Sequence, residues 1–237
     1  MKLQFIIAEA ALELVPKPLW KHPSVVNDAR RRGAEPRDVL LDRSIHHSAM
    51  LKLEDAYRRG RPDLVHLTLL NVTSTPLHQD GGVGVFVHTF DDDVIEFREK
   101  VRPPKSYQRF RSLMEKTLIE RPEEGLVRVH EETLPRLLTR IGSDAVVGLS
   151  VQGAPMGLEA LADDLAASKK PAVVVGGFPR GHFLARDVAS FDRMVRIDDR
   201  SLDAHVVAAR VLYEVERGQR RLAASSHPLN PVNGQSS

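Results

Sequence analysis

The sequence contains no cysteine, one tryptophan and only 5% aromatic residues, and these shortages exclude several kinds of protein. Without thiols the chain has neither disulfide bonds nor thiolate metal sites, which argues against an oxidising compartment. No apolar run approaches the roughly 20 residues of a membrane-spanning helix. Residues 1–8 are too short for the apolar segment of a secretory signal and lead directly into Glu9. We therefore expect a cytoplasmic protein with no membrane partner.

Common nucleotide-binding and metal-binding motifs are also missing. The sequence has no G-x-x-x-x-G-K-[ST] stretch, which excludes a P-loop. Its glycine-rich stretch at residues 176–181 has the spacing G-G-x-x-x-G and lies near the end of the chain, which fits a dinucleotide-binding loop poorly. The histidines lack H-E-x-x-H or any other ligand spacing, so we expect no metal site.

The chain is nearly neutral but rich in arginine. Its 34 Lys and Arg, most of which are Arg, are balanced by 32 Asp and Glu, for a net charge of +2. Because the planar guanidinium group matches phosphate better than the lysine ammonium group does, the positions where arginines cluster are informative. Most of the arginines are expected to be ordinary solvated surface charges.

Apolar periodicity divides the chain into alternating strands and helices. Strands are predicted at residues 3–8, 39–41, 64–70, 83–90, 94–97, 127–130, 145–151, 173–175 and 194–197. Helices are predicted at residues 25–32, 45–59, 105–119, 132–141, 157–168 and 202–217. This alternation is typical of an α/β fold with a largely parallel sheet.

Length and apolar content favour one domain. A chain of 237 residues with 42% apolar residues can build one sizeable core. We expect this domain to occupy residues 1–218, with a β-hairpin insertion near residues 83–97, where two strand-like runs are separated by Asp91, Asp92 and Asp93. Residues 219–237 are rich in Ser, Pro, Asn and Gly and are expected to form a disordered tail.

The stretch at residues 171–202 carries the clearest candidate for a binding site. A short β-branched run at residues 173–175 is followed at once by Gly176, Gly177 and Gly181, which let main-chain groups approach a ligand closely. A second strand-like run at residues 194–197 leads into a polar loop and the last helix. Open α/β sheets bind ligands at loops after the carboxyl ends of neighbouring strands. On glycine content alone, an ordinary turn is an equally good interpretation.

The predicted helix at residues 105–119 has one packing face and one cationic face. At about 100° per residue, Tyr107, Phe110 and Met114 share one face, and the opposite face carries Lys105, Arg109, Ser112 and Lys116. Arg102 precedes two prolines that fix the approach to the helix. We expect Arg102, Lys105 and Arg109 to point the same way and to bind phosphates. The alternative interpretation is a solvated basic face.

Arg61 and Asp63 form a second candidate site. Asp63 stands two residues from Arg61 across a rigid proline, so its carboxylate can orient the guanidinium group and leave other donors to a ligand. The alternative is a surface ion pair in a turn, which is worth little energetically.

The last predicted helix is unusually apolar. Its polar positions form one narrow stripe of Asp203, Arg210, Glu214 and Arg217, interrupted elsewhere only by His205 and Glu216. A surface helix needs a single apolar face, so this helix is expected to be covered on two sides. A second subunit is the simplest additional cover, and an internal helix packed within one chain is the alternative.

Four segments together resemble the Nep/Emg ribosome-biogenesis family in its shorter archaeal-type form. They are Gly-Arg-Pro-Asp at residues 60–63, Arg-Pro-Pro-Lys-Ser-Tyr-Gln-Arg-Phe at residues 102–110, Gly-Gly-Phe-Pro-Arg-Gly at residues 176–181, and residues 197–202. The resemblance implies a SPOUT-type α/β fold with helices on both faces of the sheet and a C-terminal trefoil knot. It also implies a homodimer that uses S-adenosyl-L-methionine to methylate N1 of a pseudouridine in small-subunit ribosomal RNA.

The resemblance also implies the roles of particular residues. The cofactor contacts that it implies are Leu149, Gly176, Gly181, Ile197, Asp198, Asp199, Arg200, Ser201 and Leu202. The RNA contacts that it implies are Arg61, Arg102, Lys105 and Arg109, with Asp63 orienting Arg61. Lys105 stands where eukaryotic relatives tend to have arginine, which keeps the charge but loses the bidentate fork. The loop at residues 198–201 is more charged than the family pattern, so main-chain contacts are expected there.

The implied methyl transfer needs few catalytic side chains. A sulfonium methyl group is already activated, so its transfer to nitrogen needs alignment and removal of the N1 proton. The sequence identifies no general base; Asp198 and Asp199 are considered for this role, and neither is assigned to it. The alternative function is a non-catalytic rRNA-binding assembly factor for the small ribosomal subunit. The intact glycine loop favours the methyltransferase.

Overall fold

The computed structural model describes residues 1–226, with side chains described as far as residue 221. The strands are β1 (Leu3–Ala10), β2 (Val83–Thr89), β3 (Asp93–Phe97), β4 (Val127–Glu131), β5 (Ala145–Pro155), β6 (Pro171–Gly176) and β7 (Arg193–Arg196). The α-helices are α1 (Pro23–Arg32), α2 (Arg43–Met50), α3 (Pro62–Thr73), α4 (Pro76–Gln79), α5 (Tyr107–Glu120), α6 (Leu134–Ile141), α7 (Leu158–Ala166), α8 (Ala185–Val188) and α9 (Ala204–Ser226). Short 3-10 helices are found at Lys17–Leu19, Pro36–Asp38 and Ala56–Arg58.

Within the described range, seven strands form one sheet in the order β4-β3-β2-β1-β6-β5-β7. The pairs β2-β1, β1-β6, β6-β5 and β5-β7 are parallel. Strand β3 runs antiparallel to both of its neighbours, β2 and β4. The predicted α/β fold with a largely parallel sheet is therefore confirmed. The hairpin expected near residues 83–97 is formed by β2 and β3, and because β2 pairs with β1 it is part of this central sheet.

Helices cover both faces of the sheet, as the alternating side chains of β1 make clear. Leu3, Phe5 and Ile7 join an apolar cluster with residues of α3, α5, α7 and α9. Ile6 and Ala8 point the other way and pack with residues of α6. A third cluster is built from residues of α1, α2 and the segments beside them. The large helical layer therefore lies on one face, and it contains every helix that borders the candidate site.

The strand predicted at residues 64–70 is wrong, because this run is the core of α3. Pro62 takes the first turn, where its missing N–H is harmless. Val65, Leu69 and Val72 then follow at helical spacing and are all buried in the main core. A continuous apolar run fits a buried helix as well as a buried strand, so its pattern does not distinguish them.

Two other predicted elements near the N-terminus are also wrong. Residues 39–41 form no strand beyond an isolated bridge between Leu14 and Leu40, after a 3-10 turn at Pro36–Asp38. The helix predicted at residues 45–59 ends at Met50, and Asp55 then adopts a left-handed conformation with φ of 53°. Side chains that follow this break reach buried carboxylates on β1 and just beyond it, a tertiary interaction that local periodicity does not report.

Helix α9 is covered on two sides by its own chain. It packs against both α3 and α7, and Val211, Leu212 and Val215 are buried in the main core. This arrangement agrees with the alternative interpretation, an internal helix, for these positions. The helix continues to Ser226, so the expected tail does not begin at residue 219, and residues 227–237 lie outside the described residues. No helix within residues 1–226 has the length and apolarity needed to cross a bilayer.

Candidate functional site

A cavity of about 410 Å³ opens where the neighbouring strands β6, β5 and β7 end. Pairing between β5 and β6 stops at Leu149 and Val175, and the loops beyond these residues separate. The wall opposite the loops is formed by the start of α9 and by Leu64 of α3. Ligand sites in open α/β sheets lie at such strand ends.

All but one of the predicted cofactor residues line this cavity. They are Leu149, Gly176, Gly181, Ile197, Asp198, Arg200, Ser201 and Leu202. The exception is Asp199, whose side chain is 88% exposed and pairs with Arg196 at 3.4 Å. Its side chain is therefore directed to solvent, and a main-chain contact of Asp199 with the cofactor stays a prediction.

Two glycines of the loop after β6 are required by its conformation. Gly181 has φ of 100°, a region that residues with a Cβ rarely adopt. Gly177 lies against β1, where a Cβ would stand 2.7 Å from Ile7 and 2.8 Å from the main chain of Ala10. Its N–H donates to Ala8 O at 2.8 Å, and its carbonyl accepts from Ala11 N–H at 2.8 Å. The loop is thus joined to the end of β1.

The cavity combines an apolar wall with accessible main-chain donors. Leu149, Ile197 and Val207 contribute apolar surface to the lining. Among the described residues, the N–H groups of Ser201 and Leu202 donate to no protein acceptor. An apolar enclosure with a few polar groups is the usual character of a site for a small organic molecule, and its volume is within the range of about 300–1,000 Å³.

Asp198 is a poor candidate for a general base. Its carboxylate accepts from Nε of Arg200 at 3.0 Å and from Nη1 of Arg210 at 3.1 Å. The hydrogen bonds from Arg200, supported by Arg210, hold the pKa of Asp198 well below its usual range. A carboxylate with so low a pKa binds a proton weakly, so the suggested help from Asp198 is not supported.

Asp203 is a lining residue to which the sequence analysis gave no role at the cavity. Its side chain is exposed and, within the described part of the chain, accepts no hydrogen bond and forms no ion pair. Its charge acts at longer range on Arg61, whose pKa it helps to raise after the stronger effect of Asp63. No sequence motif marks Asp203, which was assigned only to the polar stripe of the last helix.

The ion pair predicted between Arg61 and Asp63 is present and bidentate. Nε and Nη2 of Arg61 each donate to an Asp63 carboxylate oxygen at 2.8 Å. Arg61 is the residue that caps the start of α3, and Leu64, one turn further, reaches the cavity wall. The oriented guanidinium group is not itself part of the lining, but it is within electrostatic range of the lining residue Asp203.

The predicted cationic residues are exposed, but α5 begins at Tyr107 and not at residue 105, so Arg102 and Lys105 precede the helix and only Arg109 lies on it. We call Arg102, Lys105 and Arg109 the basic ridge. All three are exposed, and none forms an ion pair with a carboxylate in residues 1–221. On the opposite side of the helix, Phe110 and Met114 are fully buried. These unpaired cations are available to phosphates.

Aromatic and histidine contacts attach the basic ridge to α3. Nε2 of His66, on α3, lies 2.7 Å from the carbonyl oxygen of Pro104, inside the ridge segment. The His66 ring stacks on Phe110 with centroids 4.4 Å apart. Tyr107 donates its hydroxyl to Asp42 at 2.5 Å. Helix α3 therefore links the three features, because it follows Arg61, lines the cavity through Leu64 and contacts Pro104 and Phe110 through His66. No cluster of three or more His, Asp or Glu side chains suited to a metal ion occurs among the described residues.

Comparisons with known proteins agree on one family. The EMG1/NEP1 methyltransferase model matches residues 5–216. The ribosomal RNA small subunit methyltransferase Nep1 of Thermococcus sibiricus is 42% identical over 186 residues, covering 77% of this chain and 84% of that protein. Its namesake in Pyrobaculum calidifontis is 40% identical over 220 residues, covering 89% and 96%.

A solved structure extends the likeness to the fold. Nep1 of Archaeoglobus fulgidus, crystallised with S-adenosylhomocysteine, matches with a TM-score of 0.83 at 34% identity, over 93% of this chain and all of that one. The resemblance carried by the four sequence segments is thereby confirmed, and the chain belongs to the EMG1/NEP1 methyltransferase family.

Proposed function

We propose that this protein uses S-adenosyl-L-methionine to methylate N1 of a pseudouridine in small-subunit ribosomal RNA. The observation that carries the proposal is the position of α3, which begins just after Arg61, lines the cavity through Leu64 and contacts the segment of the basic ridge through His66. A pocket for a small cofactor thus adjoins a surface for RNA phosphates. The ligand of Archaeoglobus fulgidus Nep1, S-adenosylhomocysteine, is what remains of S-adenosylmethionine after methyl transfer.

The lining of the cavity is chemically suited to this cofactor. When bound, S-adenosylmethionine supplies an activated methyl group on sulfur. The main-chain donors of Ser201 and Leu202 match the polar groups of an adenosyl moiety, and Leu149 and Ile197 match its apolar surface. Gly176 and Gly181 are needed for the shape of the loop, because a Cβ at Gly176 would stand 2.8 Å from the Phe178 ring and Gly181 has φ of 100°. The protein's contribution to rate is then alignment of N1 with the methyl group.

Asp203 is the residue that we propose as the acceptor of the N1 proton. Its carboxylate is on the cavity lining, next to the start of α9, and is not occupied by an arginine as Asp198 and Asp63 are. A general base must reach the proton that it removes, and its carboxylate must be available. Arg61, at longer range, keeps a positive charge near this carboxylate.

RNA is proposed to bind across Arg61 and the basic ridge of Arg102, Lys105 and Arg109. Asp63 would act indirectly, because it fixes two nitrogens of Arg61 and leaves the remaining N–H groups to face a phosphate. An oriented guanidinium group loses less conformational entropy on binding than a mobile one.

The quaternary structure and topology complete the proposal. A homodimer is supported by exposed apolar side chains on two helices in contact, Leu67 of α3 and Tyr213 of α9. Monomeric proteins rarely expose extended apolar surface without a partner. A cytoplasmic location is proposed from the ribosomal RNA substrate in the names of the relatives. A single domain is supported by the one continuous sheet, and it includes α9 as far as Ser226, beyond the expected boundary at residue 218. The trefoil knot is supported by the family alone and remains a prediction.

The test is mass analysis of an RNA hairpin carrying one pseudouridine after incubation with the protein and labelled S-adenosylmethionine. We expect one methyl group on the modified hairpin and none on a hairpin with uridine at the same position, since uridine has no free N1–H. An assembly factor without catalytic activity would bind the hairpin and leave its mass unchanged. That result would refute the methyltransferase proposal.

A further inference from the structure

Glu9 has an unusual position at the end of β1. It is 1% exposed, and its φ of 50° is in the left-handed region, which is unfavourable for a residue with a Cβ. At this point the pairing of β1 with β2 changes register, between Ile7 and Ala10. Bulges of this kind redirect a side chain and are frequent beside functional sites. We infer that the strained backbone at Glu9 sets the direction in which its carboxylate points.

The carboxylate of Glu9 binds the far end of the loop after β6. We call residues 176–184 the cofactor loop. Oε1 of Glu9 accepts a hydrogen bond at 2.7 Å from the N–H of Leu184, the residue that precedes α8. The near end of the loop is held to β1 by the main chain of Gly177. Glu9 thus adds a second attachment at the other end.

The same carboxylate also acts on the middle of the cofactor loop through Arg58. Oε2 of Glu9 pairs with Nη2 of Arg58, and both side chains are buried. The Arg58 guanidinium group lies over the ring of Phe178, 4.3 Å from its centroid. Phe178 lines the cavity. A desolvated cation over an aromatic ring is an attractive contact that fixes the plane of the ring.

We propose that Glu9 is a positioning residue for the cofactor loop, acting through Arg58 on Phe178 and through the N–H of Leu184. The inference rests on the proposed function, because it takes the cavity to be the site of S-adenosylmethionine. Glu9 is not a lining residue of the cavity. Glu9 holds the cofactor loop in the conformation that the ligand needs, so ligand binding does not have to order the loop.

Charged groups from three elements face Glu9. Arg58 approaches from the 3-10 helix at Ala56–Arg58. Asp187 of α8 is fully buried beside Glu9, and its carboxylate can accept a hydrogen bond from the protonated Glu9 carboxyl group. No other side chain in the described part of the chain donates to the Asp187 carboxylate. His88 of β2 accepts from the Glu9 N–H at 3.3 Å through Nδ1, and burial lowers the pKa of this histidine. Beyond His88 lies Asp92, at 3.0 Å from Nε2.

This surrounding makes the ionisation of Glu9 sensitive to pH near neutrality. Burial raises the pKa of Glu9 to about 7, and Asp187 adds to the rise against the opposing effects of Leu184 N–H and Arg58. Arg186, which pairs with Asp92 at 2.8 Å, is the next charge outward. Below the pKa the carboxyl group gains a proton and loses its ionic attraction for Arg58. The attachment of the loop should therefore weaken as pH falls.

The adjacent chain segment offers a matched control. Glu13 pairs with Arg59 as Glu9 pairs with Arg58, and both members of this second pair are also buried. Arg59 lies over Phe90, 5.0 Å from its centroid. Neither Glu13 nor Phe90 lines the cavity. Glu13→Gln therefore removes an equivalent buried carboxylate without touching the cofactor loop.

The experiment is calorimetric titration with S-adenosylhomocysteine at pH 8 and pH 6. At pH 8 we expect Glu9→Gln to bind at least tenfold more weakly than the wild type and Glu13→Gln to bind equally well. The wild type should itself weaken about 5- to 10-fold at pH 6, because the ionised fraction of a group with a pKa of about 7 falls to about one tenth while the protonated fraction still binds weakly. Glu9→Gln should show no such change, and any titration of the ligand would appear in all three proteins.

Hydrogen exchange tests the attachment of the loop directly, and a second variant replaces Glu9→Gln if that variant does not fold. Hydrogen exchange at the Leu184 amide should be faster in Glu9→Gln than in the wild type and unchanged in Glu13→Gln. If Glu9→Gln does not fold, Arg58→Lys takes its place, since lysine keeps the charge but not the flat contact with Phe178. Weaker binding by Arg58→Lys, with Glu13→Gln unaffected, supports the proposal.

Other outcomes would overturn the proposal. Unchanged affinity in Glu9→Gln, or in Arg58→Lys where the first variant does not fold, would show that the loop needs no such support. An equal loss in Glu13→Gln would show general destabilisation. A wild type that binds no S-adenosylhomocysteine would refute the proposed function itself. A wild type and a Glu9→Gln variant that bind it equally well would refute only the role of Glu9.

Discussion

Replacing both Arg102 and Arg109 with alanine should weaken binding to the pseudouridine hairpin and flatten its dependence on salt. Both guanidinium groups are exposed and form no ion pair within the described residues, so neither must leave a carboxylate to reach a phosphate. Each phosphate that is neutralised releases counterions. The logarithm of the binding constant then falls with the logarithm of the salt concentration by about 0.7 per contact on single-stranded RNA.

The size of the effect follows from the number of cations in the basic ridge. With Lys105 the ridge offers three contacts and a slope of about −2.1, and the double variant keeps about −0.7. Between ~50 and ~200 mM salt, the wild type should therefore lose about sevenfold more affinity than the double variant. This ratio does not depend on what the rest of the surface contributes, because that contribution is common to both proteins.

The assay is fluorescence anisotropy with a labelled hairpin across a salt series. Arg136→Ala is the matched control, because Arg136 is also exposed and forms no ion pair among the described residues, yet belongs to α6 on the opposite face of the sheet. Its slope should equal that of the wild type. Equal slopes for the wild type and the double variant would mean that the basic ridge is a solvated helix face and that the RNA binds elsewhere.

Three other predictions test the cavity and the core. Asp203→Asn should lower the rate of methyl transfer by ~100-fold or more at unchanged affinity for S-adenosylhomocysteine, as expected of a general base, and an unchanged rate would remove it from that role. Gly181→Val should weaken that affinity at least tenfold, because φ of 100° is strained for valine, and calorimetry at wild-type affinity would contradict this. Leu212→Ala should lower the free energy of unfolding in urea by about 2–5 kcal/mol, whereas Leu126→Ala, at a 63% exposed position, should change it little; similar losses would contradict the burial of Leu212 in α9.

Local patterns were enough to predict the sheet and the regions that form the candidate site. The β-branched run before Gly176 and the alternation of strands and helices depend on nearest neighbours in sequence, and both are seen in the structure. The faces of α5 were also predictable, because a helix of known period assigns Phe110 and Arg109 to opposite sides. The ion pair of Arg61 with Asp63 spans only two residues and needed no tertiary information.

The errors arose where distant parts of the chain decide the structure. The apolar run in α3 became a helix because it packs between the sheet and α9, a partner more than a hundred residues away. Arg58 and Arg59 were assigned to a long helix, yet each pairs with a buried carboxylate in the first strand or just after it. No local motif links Glu9 with Leu184, which it contacts across most of the length of the chain. Such interactions require the fold before they can be recognised.

Helix α3 has a further consequence for how a substrate would be selected. Arg61 begins this helix, Leu64 reaches the cavity, and His66 holds the carbonyl of Pro104 in the ridge segment. From Arg61 to His66 a helix rises only about 7.5 Å, and it resists stretching. Helix α3 therefore fixes the distance between the residues that bind the RNA backbone and the base that is methylated. A hairpin whose pseudouridine is moved by one nucleotide should bind with the same strength and yet receive no methyl group, so that recognition would be a matter of distance rather than of sequence.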